Sequence, residues 1–185
     1  MPITARKPAT YEDLLKVPGH LVAEIVEGEL FTSPRPANRH ARASAGLSGK
    51  LVPPFDHGDG GPGGWWITFE PELHLGADVL VPDLAGWRRE RMPVYPDAPY
   101  FELAPDWVCE IVSPSTGRLD RVQKMPRYAS NEVAHLWLVD PVLRTLEVYR
   151  LEQEHWLLLG THGGDETVRA EPFDAIEIHL ASLWS

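Results

Sequence analysis

Glu24, Asp83 and Glu110 each interrupt an apolar, strand-like run, in VAEIV, VLVPDLAGW and WVCEIV. A carboxylate in a buried strand is costly unless it is ion-paired or bound to a cation. Asp83 and Glu110 lie 27 residues apart, enough for a loop and a return to an adjacent strand, where both could reach one divalent ion. Taken singly, each carboxylate has a plainer reading: an alternating strand turns it to solvent, or an arginine pairs with it. Lys124 follows Glu110 by fourteen residues and Asp120 by four. On the surface it would form an i, i+4 pair with Asp120 worth ~0.2–0.5 kcal/mol. Projected from its helix toward the carboxylates, it would orient an attacking water and stabilise charge on a phosphoryl group.

The elements that must position these residues can be read from pattern. Residues 1–9 form a loose tail. Thr10 and Asp13 approximate a capping box before a short helix that Pro18-Gly19 stops. LVAEIVEGELFTSP is two alternating runs around Glu27-Gly28, a hairpin. Residues 38–55 read as helix, weakened at Gly46 and Gly49 and ended by Pro53-Pro54. Strand-like segments follow at 65–70, 72–75 and 79–87, then a proline-rich loop from Arg88 to Pro105. Residues 107–112 read as a buried strand and 120–131 as helix, with Pro126 tolerated in its first turn. The apolar run 136–139 precedes a hairpin of 145–151 with 155–159, and edge strands at 168–170 and 176–179 close the chain. This pattern predicts one domain over residues 1–185, of α+β or α/β class, with helices packed on one mixed sheet.

Composition limits the rest. The chain has 185 residues, 43% hydrophobic and 24% charged, which suits a folded core rather than disorder. No apolar run approaches the ~20 residues of a membrane span, and no secretory leader pattern opens the chain. One cysteine, Cys109, excludes an internal disulfide and makes a reducing cytoplasm the default. The net charge of −10 disfavours indiscriminate nucleic-acid scaffolding but not a local basic groove. Arg35, Arg39, Arg42 and Lys50 surround the long predicted helix and could form such a phosphate-contacting face; a solvated helix face is the equal alternative.

Other chemistries fare worse. The glycine-rich HGDGGPGG follows a helix and lacks a P-loop lysine, so it reads as a solvent loop. No two of the eight histidines fall at zinc-binding spacing. Ser113 and Ser115 lack a nucleophile-elbow context. Cys109, inside an apolar run, reads as core. Trp65-Trp66 could stack bases, though tryptophans more often pack in cores.

Four segments together resemble the Uma family of proposed restriction endonucleases, within the PD-(D/E)XK nuclease superfamily: AEIVEGEL, VPDLAGW, WVCEIVSPST and DRVQKMPRYASNEVAHLWLVDP. VYRL continues the match, which spans about residues 10–151 and leaves 152–185 as a C-terminal β extension. The resemblance implies a restriction-endonuclease-like core, a mixed sheet flanked by helices with an added C-terminal β hairpin. Pro82-Asp83 matches the Pro-Asp element and Glu110 the acidic residue of the second element. The lysine commonly stands two residues after that acid; Val112 occupies that position here, and the family resemblance points instead to Lys124. Glu24 matches the acid of the N-terminal hairpin, and His40 a histidine near the start of the long helix.

The implied activity is metal-dependent hydrolysis of nucleic-acid phosphodiesters, DNA foremost. Asp83, Glu110 and the Ile111 backbone carbonyl would ligate Mg2+, with Mn2+ as a substitute. Lys124 and Glu24 would assist, with His40 and Asp120 as accessories. Many nucleases cut both strands as symmetric dimers, and twofold dimers are the commonest oligomer, so a homodimer is expected. Two other classes stay open: an inactive nuclease-fold protein that binds nucleic acid, and a homodimeric assembly module.

Overall fold

The protein is described by a computed structural model covering residues 7–34 and 37–185. Most of the N-terminal tail and Arg35 therefore lie outside the described residues. The chain begins with α1 (Tyr11–Leu14), whose capping box is present: the Thr10 hydroxyl accepts from the Asp13 N–H, and the Asp13 carboxylate accepts from the Thr10 N–H. β1 (Leu21–Val26) and β2 (Glu29–Pro34) form the expected hairpin. Its two turn residues, Glu27 and Gly28, have φ of 53° and 75°, as a two-residue turn between twisted strands requires.

The long helix α2 (Asn38–Leu51) continues differently from the sequence reading. Pro53-Pro54 does not end it. The chain passes into a π-helical segment (Val52–His57), where prolines in the first turn need no N–H donor. Gly46 is needed where it stands, because a Cβ there would lie 3.1 Å from the Ser182 backbone oxygen.

β3 (Trp65–Phe69), β4 (Leu73–Leu75), β5 (Asp78–Leu80), β6 (Leu84–Arg88) and β7 (Trp107–Ile111) follow. A second π-helical segment (Leu119–Lys124) runs into α3 (Met125–Ser130), which accommodates Pro126 in its first turn as expected. β8 (His135–Asp140) then precedes the hairpin of β9 (Thr145–Glu152) and β10 (His155–Gly163). β11 (Thr167–Val168), β12 (Ile178–His179) and α4 (Ala181–Trp184) end the chain.

The strands form more than the one sheet expected. A six-stranded sheet has the order β10-β9-β8-β7-β6-β3, antiparallel except for the parallel β7–β8 pair. A four-stranded antiparallel sheet has the order β2-β1-β5-β4. The tail strands, expected as sheet edges, pair instead with each other as a separate ribbon. The fold is nonetheless a mixed α+β arrangement with helices flanking the main sheet.

Strand alternation divides the core. Trp107, Cys109 and Ile111 point toward α2 and the C-terminal residues, packing with Leu47, Phe55 and Phe173. Val108 and Val112 point the other way, toward Val26, Leu80 and Tyr128. Glu110 shares that second face. Among the described residues, no helix is long and apolar enough to cross a membrane.

Candidate active site

The run 79–87 is not one strand. β5 lies in the four-stranded sheet and β6 in the six-stranded one, and the chain crosses between them at Val81-Pro82-Asp83. Proline lacks an N–H and cannot continue a ladder, so the break falls here. The Val81 N–H, left without a strand partner, donates to Glu24 Oε1 at 2.8 Å. Asp83, at the crossing, accepts the Ile111 N–H through Oδ2 at 2.6 Å. A cavity of about 310 Å³ opens at this junction, and Glu24, His40, Asp83, Glu110, Ile111, Asp120 and Lys124 all line it.

Lys124 does not lie on the surface. It is 2% exposed, with its Nζ 2.8 Å from Glu24 Oε1 and 2.8 Å from Glu110 Oε1, while Asp120 stands farther off at 3.9 Å. The Val81 carbonyl accepts a further bond from it at 3.3 Å. Burial opposes its charge, but Glu110 and Glu24 outweigh burial and hold its pKa well above the lysine norm. It is a fixed cation, unsuited to serve as a base.

Burial pushes Glu110 well above the carboxylate range; Lys124 counters this, and Asp120, Asp83 and Glu24 reinforce it. Burial likewise lifts Asp120 to about 6. His40, from the first turn of α2, places Nε2 3.0 Å from Asp83 Oδ1. Burial would lower its pKa, but the bond to Asp83 and the neighbouring negative charges raise it. Its Nδ1 is buried and lacks a hydrogen-bond partner among the described residues.

Two residues in this site escaped the sequence reading. Tyr128 is fully buried and donates to Glu110 Oε1 at 2.5 Å. It could have been found, since Asp120, Lys124 and Tyr128 recur every four residues on one helix face. Glu70 lines the same cavity, at φ 43° beyond the end of β3, and its strand-end position carried no signal. The long helix divides its cations: Arg39 and Arg42 line a separate cleft, while Lys50 lines neither this cleft nor the acidic cavity.

Five carboxylates (Glu24, Glu70, Asp83, Glu110 and Asp120) thus share a cavity with one lysine and one histidine. Hard oxygen donors that outnumber the cations in the cavity suit Mg2+ or Mn2+. Among the described residues, no three of the histidine, cysteine and acidic side chains already stand as a metal-ligand set. Lys124 engages Glu24 and Glu110, and His40 and the Ile111 N–H engage Asp83. The donor chemistry fits a divalent ion, and ligation would require these contacts to rearrange.

A mixed sheet flanked by helices, with a carboxylate–lysine cavity where the chain leaves one sheet for another, defines a class of protein built around charge at a sheet junction. The Uma2 family model, described as "Putative restriction endonuclease", matches residues 8–181, and the chain belongs to that family. Among solved structures, a crystal structure described as that of "a putative nuclease belonging to DUF820" from Anabaena variabilis is similar, with a TM-score of 0.76 and 22% identity over 96% of this chain and 98% of that one. No curated protein matches the chain.

Proposed function

We propose that this protein is a metal-dependent endonuclease that hydrolyses phosphodiester bonds of nucleic acid, with DNA as substrate. The family is described as one of restriction endonucleases and the similar crystal structure as that of a nuclease, and both descriptions favour this reading. The observation that carries it is Lys124 Nζ lying 2.8 Å from both Glu24 and Glu110, in one cavity with Asp83. In this reading Asp83, Glu110 and the Ile111 carbonyl hold Mg2+, and Glu24 and Asp120 hold its waters or a second ion. The ion, when bound, would polarise the phosphate and lower the pKa of a water.

The chain's own groups supply the rest. Lys124, permanently charged, stabilises negative charge developing on the phosphoryl oxygens. His40 holds Asp83 through Nε2, and the imidazole must yield that carboxylate before Asp83 can ligate an ion. Tyr128 fixes the rotamer of Glu110.

Two copies would act together, joined along β10. This strand ends the six-stranded sheet, and HWLLLGTHG contains no Asp, Glu, Lys or Arg. Leu157, Leu158 and Leu159 on it are 41%, 48% and 37% exposed. A neutral, apolar edge is where two strongly acidic copies can approach. The single cysteine is consistent with work in a reducing cytoplasm.

The engaged state of Glu24, Glu110 and Asp83 favours one competing reading, a nuclease fold that binds nucleic acid without cutting it. Calorimetric titration of Mn2+ into wild type and Glu110→Gln, followed by a supercoiled-plasmid nicking assay, separates the two. Metal binding and nicking by wild type alone are expected. Wild-type binding of DNA without metal uptake or nicking would favour the competing reading.

A further inference from the structure

Arg39 and Arg42, on the exposed side of α2, line a cleft of about 330 Å³ together with Arg144 from the β8–β9 turn. Asn38, Val142 and Trp184 complete most of its wall, and no carboxylate side chain lines it. The chain has a net charge of −10, so carboxylates are plentiful elsewhere on it. Arg89, Arg91, Arg121, Arg127, Arg150 and Arg169 are all ion-paired. Among the described residues, neither Arg39 nor Arg144 is. Arg42 directs Nε to the Ser185 backbone oxygen at 2.7 Å. Of the acids near Arg144 in sequence, Glu147 pairs with Arg121, and Asp140 accepts from the Val142 and Leu143 N–H groups and so organises the turn that carries the arginine.

Arg42 is engaged by Ser185, whereas Arg39 and Arg144 line the same cleft with no carboxylate partner among the described residues, and an external anion would supply that counter-charge. Their planar forks match phosphate oxygens. The first turn of α2 adds to the positive field, since it contains no acidic residue and no side-chain cap. Position narrows the ligand further. Arg39 lines this cleft while the next residue, His40, lines the acidic cavity, so the first turn of α2 separates the two. A polymer with one phosphate at the acidic cavity can lay neighbouring phosphates across this turn into the arginine cleft.

We infer that Arg39, Arg42 and Arg144 form a backbone-phosphate site that holds nucleic acid beside the acidic cavity. The ligand identity rests on the nuclease reading; the site itself rests on the arginine cleft. It reads no bases: contacts to phosphate position a polymer without selecting its sequence. Lys50, named with Arg39 and Arg42 from sequence, takes no part, and Arg144 takes its place.

The test is fluorescence anisotropy of a labelled DNA duplex with full-length protein in calcium buffer, across a series of salt concentrations. Arg39→Ala and Arg144→Ala should each weaken binding uniformly across duplex sequences and reduce the slope of log affinity against log salt by about 1, and the double variant by about 2. Lys50→Ala should leave the slope unchanged, and the thermal midpoint and Mn2+ affinity of all variants should match wild type. An unchanged slope in the double variant overturns the site, as does wild type that binds no duplex, or inorganic phosphate that displaces the duplex at equal phosphate concentration. The nicking assay separates this from the nuclease reading. A lost slope with no nicking by wild type would leave the cleft standing and remove the activity, and nicking with an unchanged slope would do the reverse.

Discussion

His40 and Asp120 place two titrations of opposite consequence in the same cavity. If protonated His40 holds Asp83 back from the ion, activity must rise with pH through its pKa, which its bond to Asp83 and nearby charges hold above the ordinary 6.5 despite burial. A pH–rate profile of nicking should show that rising limb in wild type, and His40→Ala should lose it; a limb retained in the variant removes His40 from the reaction. Asp120 acts on stability. The unfolded chain releases this proton near the ordinary 3.8, whereas the folded chain keeps it until about 6. Folded protein therefore binds more protons across that window, and rising pH destabilises it there, with the loss constant above. Asp120→Asn should gain up to about 3 kcal/mol over metal-free wild type near pH 8, less what the bond to Thr116 contributes, and nothing near pH 3. Urea unfolding at the two pH values measures it, and an equal difference at both would refute the linkage.

Elements set where these residues meet. The strand break at Pro82 turns one chain segment into two strands of different sheets, and the π-helical turn before α3 carries Lys124 back over Glu110. β10 presents its free edge on the far end of the main sheet. Leu158→Lys puts a charge on that edge and should shift a concentration-dependent dimer to monomer in analytical ultracentrifugation, with the thermal midpoint little changed because Leu158 is 48% exposed. Wild type that is monomeric at every concentration would refute pairing through this strand.

Across the whole molecule, five of the chain's 27 acidic residues line one cavity. A divalent ion that binds there only in the folded state must stabilise the fold. At a hundredfold excess over its dissociation constant the gain is about 2.7 kcal/mol, or roughly 5–10 °C in thermal midpoint for a chain of this size. Mg2+ should produce that rise in differential scanning fluorimetry, EDTA should reverse it, and Asp83→Asn should blunt it. An equal rise with NaCl at matched ionic strength would instead indicate general screening of the −10 charge.

Local rules determined a large part of this protein from sequence alone. The capping box at Thr10, the Glu27-Gly28 hairpin and the buried strand in WVCEIV depend on neighbouring residues, and each is present as read. The carboxylates in apolar runs were legible because burying a charge without a partner is too costly to occur without a reason. What depends on distant partners was not legible. Nothing in the sequence shows that Val81 hands its N–H to Glu24 or that Glu70 enters the cavity, and the spacing that puts Tyr128 on the face of Lys124 does not say that it meets Glu110. The separation of β5 from β6, the pairing of the tail strands and the grouping of Arg144 with Arg39 also join segments far apart in the chain. Spacing bounds how far Lys124 can reach, but only the packing of its helix on the sheet decides that it lies between two carboxylates rather than in water. Pattern reports which face a residue occupies; long-range packing decides what it meets there.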